Sequence, residues 1–203
     1  PIVDPNTPRR AHAARGPVIA WAQANPLAYP AEMAFVRRFA DRLADRGVRF
    51  TLRFYGASTD DARNKLGMQF ANHDLELKER LDYDAFCRSL QEVAVGLCPL
   101  VISSEYSRGK SFGKILSYLD AKVPVLASDA ADHCLFFTAE AGLVSDDMTA
   151  WIDLAETLMA DPARREAMAS TAFELLQDRL SLEAASGTVA RVLRSVLGPG
   201  ESV

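Results

Sequence analysis

The stretch from Val93 to Asp129 constrains this 203-residue chain more than any other. An apolar run, Val93 to Leu100, leads into the polar loop Ser103-Ser-Glu-Tyr-Ser-Arg-Gly109. Lys110-Ser-Phe-Gly-Lys114 then opens a helix, and a second apolar run, Val123 to Ser128, closes the unit. Two strand-length apolar runs joined through a helix read as a crossover between parallel strands. The loop falls at the carboxyl end of the first strand, where open parallel sheets hold their ligands. A glycine, flanking lysines and a helix N-terminus together favour an anion such as phosphate.

The same alternation recurs along the chain. Pro17 to Ala22 reads as a buried strand, and residues 30–46 as an amphipathic helix with Met33, Val36, Phe39, Ala40 and Leu43 on its apolar face, ended by Gly47. Val48 to Tyr55 is predicted as a second strand, Asp60 to Lys65 as a short helix, and Leu75 to Leu81 as a third strand. Asp82 is placed to cap a helix running to Leu90, and Gly142 to Val144 forms the last short strand. Three helices follow: Thr149 to Met159, one opened by Asp161-Pro162 and reaching about Arg179, and Ser181 to Leu197. Strands alternating with helices give an α/β class: a doubly wound, mainly parallel, Rossmann-like sheet of five or six strands with a helical carboxyl-terminal tail.

Composition narrows the partners. With 49% hydrophobic and 25% charged residues the chain is an ordinary globular domain, and a net charge of -4 with scattered basic residues gives no reason to expect nucleic acid. No run approaches the ~20 apolar residues that cross a bilayer. The tail carries no basic amphipathic helix, so association with a membrane would have to come through another part of the protein. Cys87, Cys98 and Cys134 show no CxxC spacing and suit free thiols in a reducing, cytoplasmic setting. His12, His73 and His133 are isolated, so no metal site is expected and each reads as a surface or internally satisfied residue. Cys98, Trp21 and Trp151 read as core.

Gly109-Lys110-Ser111 invites a comparison with the P-loop, but that motif needs glycine where this chain has Ser104. A different resemblance covers most of the chain. Lys110 to Asp129, with its Pro124-Val-Leu-Ala-Ser128 ending, resembles the donor-site segment of group 1 retaining glycosyltransferases of the GT-B fold. Val18-Ile-Ala-Trp-Ala-Gln23, Phe50 to Gly56, Val93 to Leu100 and the helix after Asp161-Pro162 resemble further pieces of that family in the same order.

The resemblance implies one half of a GT-B fold, the carboxyl-terminal half that holds a nucleotide-diphosphate sugar. Residues 1–16 would be a linker remnant, 17–180 the nucleotide-sugar-binding domain, and 181–203 a terminal helix packing on an amino-terminal half. That other half would hold a glycan or lipid-linked acceptor, so the chain alone is expected to be inactive, with no catalytic residue assigned. The diphosphate would meet Lys110, Ser111, Gly113, Lys114, Ala22 and Gln23, with no metal required. Ser117 and Tyr83 would lie by the ribose and base, although Tyr83 reads more simply as a half-buried helix residue. Glu105 would face the sugar or pair with Arg108, and Asp129 reads as a helix cap ahead of the other reading, a residue facing the sugar. Two positions depart from the family: Ser117 stands where it commonly has a glutamate, and Ala22 where it has glycine. These departures support an alternative, a scaffold or interaction domain that keeps the fold without the donor; a nucleotide sensor is a third reading.

Overall fold

The computed structural model describes residues 8–102 and 105–197. Six parallel strands form one sheet in the order β3-β2-β1-β4-β5-β6. They are β1 (Val18–Trp21), β2 (Thr51–Phe54), β3 (Asp74–Leu77), β4 (Val95–Cys98), β5 (Val125–Ala127) and β6 (Leu143–Val144). The expected doubly wound sheet is present, and the strand order reverses between β1 and β4, which pair directly.

Nine helices connect and cover the strands among the described residues: α1 (Pro30–Asp45), α2 (Asp60–Gln69), α3 (Tyr83–Leu90), α4 (Glu105–Arg108), α5 (Leu116–Asp120), α6 (His133–Phe136), α7 (Met148–Ala160), α8 (Pro162–Leu180) and α9 (Leu182–Leu197). Side-chain caps set several starts as the sequence implies. Asp82 Oδ1 accepts from the Ala85 amide at 2.8 Å, and Asp161 Oδ1 accepts from Ala163 and Arg164 at 2.9 and 3.0 Å. Gly47 takes the left-handed conformation (φ 79°) that ends α1.

Both faces of the sheet are covered, and the two-residue period of β1 serves each in turn. Ile19 and Trp21 join a layer with Val36, Phe39 and Leu43 of α1 and with Trp151, Ala155 and Leu158 of α7. Val18 and Ala20 face the opposite layer with Tyr118 and Leu119 of α5 and Phe173 and Leu176 of α8. Trp21, Trp151 and Cys98 are core as expected. Burial pushes the Cys98 thiol up to about 11.

Local corrections fall near the carboxyl ends of the strands. The loop 103–109 contains the helix α4, and Ser103 and Ser104 lie outside the described residues. The helix expected from Lys110 is instead a 3-10 turn, Phe112–Lys114, passing through Ile115 into the five-residue α5. Ser111, Gly113 and Ser117 are weak helix formers, so the chain tightens here rather than propagating a long helix. Asp129 caps nothing: its amide donates to Asp146 Oδ1 at 3.1 Å, and α6 begins after Ala131 and Asp132, both left-handed.

Residues 8–16, ahead of β1, dock on the sheet edge opposite the carboxyl ends of the strands. His12 is fully buried, with Nε2 2.8 Å from the Lys122 carbonyl, and Arg15 donates to the carbonyls of Arg10, Val93 and Ala121. Residues 1–7 of the expected linker remnant, and 198–203 of the tail, lie outside the described residues. Helix α9 exposes Leu182, Val189, Val192, Leu193 and Val196 along one side.

Candidate functional site: a cleft at the strand-order reversal

At the carboxyl ends of β1 and β4 two adjoining cavities open. The smaller, about 290 Å³, is lined by Gln23, Tyr29 and Glu32 from the β1 side and by Cys98, Lys110, Ser111, Gly113 and Lys114 from the β4 side, with Ala131 and His133 behind. The larger, about 590 Å³, is lined by Ala22, Gln23, Tyr55, Gly56, Arg80, Tyr83, Lys114 and Ser117, among others. Gln23 and Lys114 line both, so the two form one cleft. It sits in the crevice where doubly wound sheets take ligands.

The positive charge here comes from side chains. A 3-10 turn and a five-residue helix align few peptide dipoles, so the helix terminus expected to hold an anion contributes little. The lysines instead converge. Lys110 Nζ lies 4.5 Å and Lys114 Nζ 4.9 Å from the ring centroid of Tyr29, which the β1 loop delivers to the start of α1. The electron-rich ring attracts both ammonium groups, so one aromatic side chain holds two like charges. Desolvation pulls the Lys114 pKa below the usual lysine range, and Lys110 adds in the same direction.

The β1 loop is largely occupied with its own hydrogen bonds. The Ala22 amide donates to the Tyr118 hydroxyl at 2.7 Å, and the Gln23 amide donates to the Trp21 carbonyl at 3.0 Å. The Tyr118 hydroxyl in turn donates to the Ala20 carbonyl at 2.8 Å. Gly96 makes this possible, because a Cβ there would lie 2.7 Å from the Tyr118 ring. Gly56, at φ 78°, lets the β2 loop pass against Ala24, whose carbonyl oxygen would be 2.0 Å from a Cβ.

Lys110, Ser111, Gly113, Lys114 and Gln23 thus meet in the smaller cavity, while Ala22 lines the larger one. Ser117 and Tyr83 come together in the lining of the larger cavity, with Tyr83 55% exposed. Glu105 opens α4 on the surface and lines neither cavity.

Sequence reasoning missed Tyr29, Glu32 and His133. Glu32 had a readable signal: it lies four residues before Val36 and continues the apolar stripe of α1, so a carboxylate there had to be buried. It is 6% exposed. His133 is the internally satisfied histidine expected. Its Nδ1 donates to the Ser128 carbonyl at 2.9 Å, leaving Nε2 facing Cys98 Sγ at 3.8 Å, and burial lowers its pKa. Among the described residues no group of three His, Cys, Asp or Glu side chains is placed to hold a metal, and no helix is long and apolar enough to cross a membrane.

An all-parallel sheet with this order and a cleft at its reversal defines a Rossmann-like domain, and its solved likenesses are glycosyltransferases. S. aureus TarM, solved as a mutant in complex with Fondaparinux, alpha-GlcNAc-glycerol and UDP, superposes at a TM-score of 0.67 over 94% of this chain and 37% of its own, at 10% identity. Anabaena Alr3699/HepE, in complex with UDP and glucose, gives 0.61 over 90% of this chain and 49% of its own, at 12% identity. The C-terminal domain of the glycosyl transferase group 1 family protein LpcC from Francisella tularensis gives 0.57 over 89% of this chain and 97% of that domain, at 14% identity. At such identities the likeness is one of fold. The chain spans less than half of TarM and of HepE and nearly all of the LpcC domain. No protein-family model matches the chain, and no curated protein does.

Proposed function

We propose that this chain is the donor-binding half of a glycosyltransferase that moves a sugar from a nucleotide-diphosphate sugar to a glycan or lipid-linked acceptor. The observation that carries the reading is the convergence of Lys110 and Lys114 on Tyr29 in the smaller cavity, with Lys114 also lining the larger one. A diphosphate bridging the cavities would meet both ammonium groups, Ser111 and Gln23. As the bond between sugar and phosphate breaks, negative charge grows on the leaving diphosphate, and fixed cations in a partly desolvated cleft stabilise it. Two lysines supply that charge without a metal. The larger cavity, with Tyr83 and Ser117, takes the nucleoside, where the Tyr83 ring can stack on the base. The acceptor comes through a second half, and the exposed apolar side of α9 is the surface that half would cover.

One observation favours the scaffold reading. The Ala22 amide is already held by Tyr118, so the β1 loop offers less backbone to a phosphate than the fold allows. Thermal-shift titration with UDP, GDP, ADP and dTDP separates the two. Stabilisation by one of them, reduced at least tenfold in affinity by Lys114→Ala, is expected of a donor domain, since a charge-assisted hydrogen bond to phosphate is worth about a factor of ten or more. No shift with any at millimolar concentration would leave the scaffold.

A further inference from the structure

We propose that Glu32 selects the glycosyl part of the ligand by receiving its hydroxyl groups in the smaller cavity. The inference rests on the donor-site reading above and adds to it a residue on α1. Glu32 is 6% exposed and lines the 290 Å³ cavity opposite Lys110 and Lys114. An ionised carboxylate only accepts, at roughly four lone-pair sites. Among the described residues one donor reaches it, the Val101 amide, 3.2 Å from Oε1. The Glu32 charge also acts on Lys114, favouring its ammonium form.

A buried carboxylate with acceptor capacity to spare gains from a ligand rich in hydrogen-bond donors. Sugar hydroxyls are such donors. Phosphate oxygens at neutral pH are acceptors and carry the same sign of charge as Glu32, so they are directed to the lysines instead. The smaller cavity is therefore divided by chemistry: Lys110, with Lys114 at the junction with the larger cavity, for the diphosphate, and across from them one buried anion for a neutral, polyhydroxylated glycosyl group. Glu32 also ties Val101, just past β4, to α1, a structural role that a test must separate from selection.

Glu32→Gln separates them, because it keeps the shape and an acceptor oxygen for the Val101 amide while removing the charge. Isothermal titration would use UDP, GDP, ADP and dTDP, each alone and as its glucose conjugate. In the unaltered chain one conjugate should bind more tightly than its bare nucleotide. In Glu32→Gln that advantage should shrink about tenfold or more, the usual worth of hydrogen bonds to a charged group. The bare nucleotide should bind equally well or better, since a negative charge near the diphosphate has gone. A purely structural role would weaken nucleotide and conjugate together. Should Glu32→Gln melt early, Glu32→Asp, which keeps the charge but withdraws it, should show the same selective loss. An unchanged ratio of conjugate to nucleotide affinity overturns the role of Glu32 while leaving the donor site standing. Failure of the unaltered chain to bind any of the eight compounds overturns the donor site and this inference with it.

Discussion

The Tyr118 hydroxyl accepts the Ala22 amide at 2.7 Å and donates to the Ala20 carbonyl at 2.8 Å, so a helix side chain beneath the sheet fastens the end of β1. Tyr118 is 1% exposed, and burial holds its phenol pKa well above the usual tyrosine range. The hydroxyl acts as a fixed, neutral pin.

Tyr118→Phe removes the pin while keeping the ring. The Ala22 amide is then left without its partner, which costs about 1–3 kcal/mol. For a chain of this size that corresponds to a melting temperature lower by roughly 2–12 °C. Differential scanning calorimetry reads it; an unchanged melting temperature would mean that water replaces the hydroxyl at no cost.

Gly96→Ala strikes the same pin from below. A methyl there meets three Tyr118 ring carbons at 2.7 to 3.0 Å, closer than packed atoms approach. The ring must move, losing its bonds to β1, so overpacking of about 1–3 kcal/mol is expected. In a double-mutant cycle, Gly96→Ala with Tyr118→Phe should cost less than the two separately, because both disturb one contact. Simple additivity would show that the ring stays in place.

Acid should loosen the docked segment ahead of β1. Burial, with Arg15 adding to it, lowers the His12 pKa from 6.5 to about 4. Between those values the unfolded chain takes a proton that the folded chain refuses, so stability falls as pH drops from 6.5 to 4 and levels off below. The loss approaches a limit of about 3.4 kcal/mol, at about 1.36 kcal/mol per unit. Urea unfolding at several pH values between neutrality and the folded pKa should show this slope in the natural chain and a shallower one in His12→Gln. Parallel curves for the two proteins would remove His12 from the account.

A buried ion network in β2 gives a second acid-sensitive point. Arg53, 2% exposed, donates to Glu76 at 2.6 Å and Glu92 at 2.7 Å, and the Glu76 pKa is lowered, its hydrogen bonds to Lys78 and Arg53 outweighing a desolvation that acts the other way. A lowered carboxylate pKa gives stability that is present above the unfolded value and lost as pH falls through the folded one. Arg53→Met removes the buried charge without leaving a hole. It should cost about 3 kcal/mol at neutral pH, because removing one partner of a buried pair leaves Glu76, Glu92 and the Ser89 carbonyl without it. Glu92→Ala should weaken the network less than Glu76→Ala, since the Glu92 side chain is 48% exposed and that of Glu76 32%. Chemical denaturation of the three variants ranks them, and a reversed order of the two glutamate variants would mean that exposure does not govern their worth.

The sheet and most helices were legible because the strands are short apolar runs or, in β2 and β3, alternate apolar with polar residues, and the major helices carry their own start signals. Asp82, Asp161 and Gly47 announce boundaries by local chemistry alone. Strand lengths were less so. Val48 to Tyr55 is apolar enough for a long strand, yet β2 pairs only over Thr51 to Phe54, because the ladder is as long as its neighbours allow. Lys110 and Lys114 were readable as candidates from their place after β4. Their meeting over Tyr29 was not, because the ring arrives from a loop far earlier in the chain. Glu32 was hidden by habit: an acid in a first helical turn usually faces water, and only the stripe through Val36 betrays that this one does not.

The shared Tyr29 ring also makes the cleft a loaded spring. Tyr29 and the lysines belong to opposite sides of the seam between β1 and β4, and the two cations that meet on it repel each other at rest. A polyvalent anion that settled between them would relieve that repulsion and compete with the ring for both ammonium groups, although both lysines follow β4 and only the ring comes from the β1 side. Filling the cleft would thus trade a contact across the seam for one within its β4 side, at the centre of the sheet rather than at its edge.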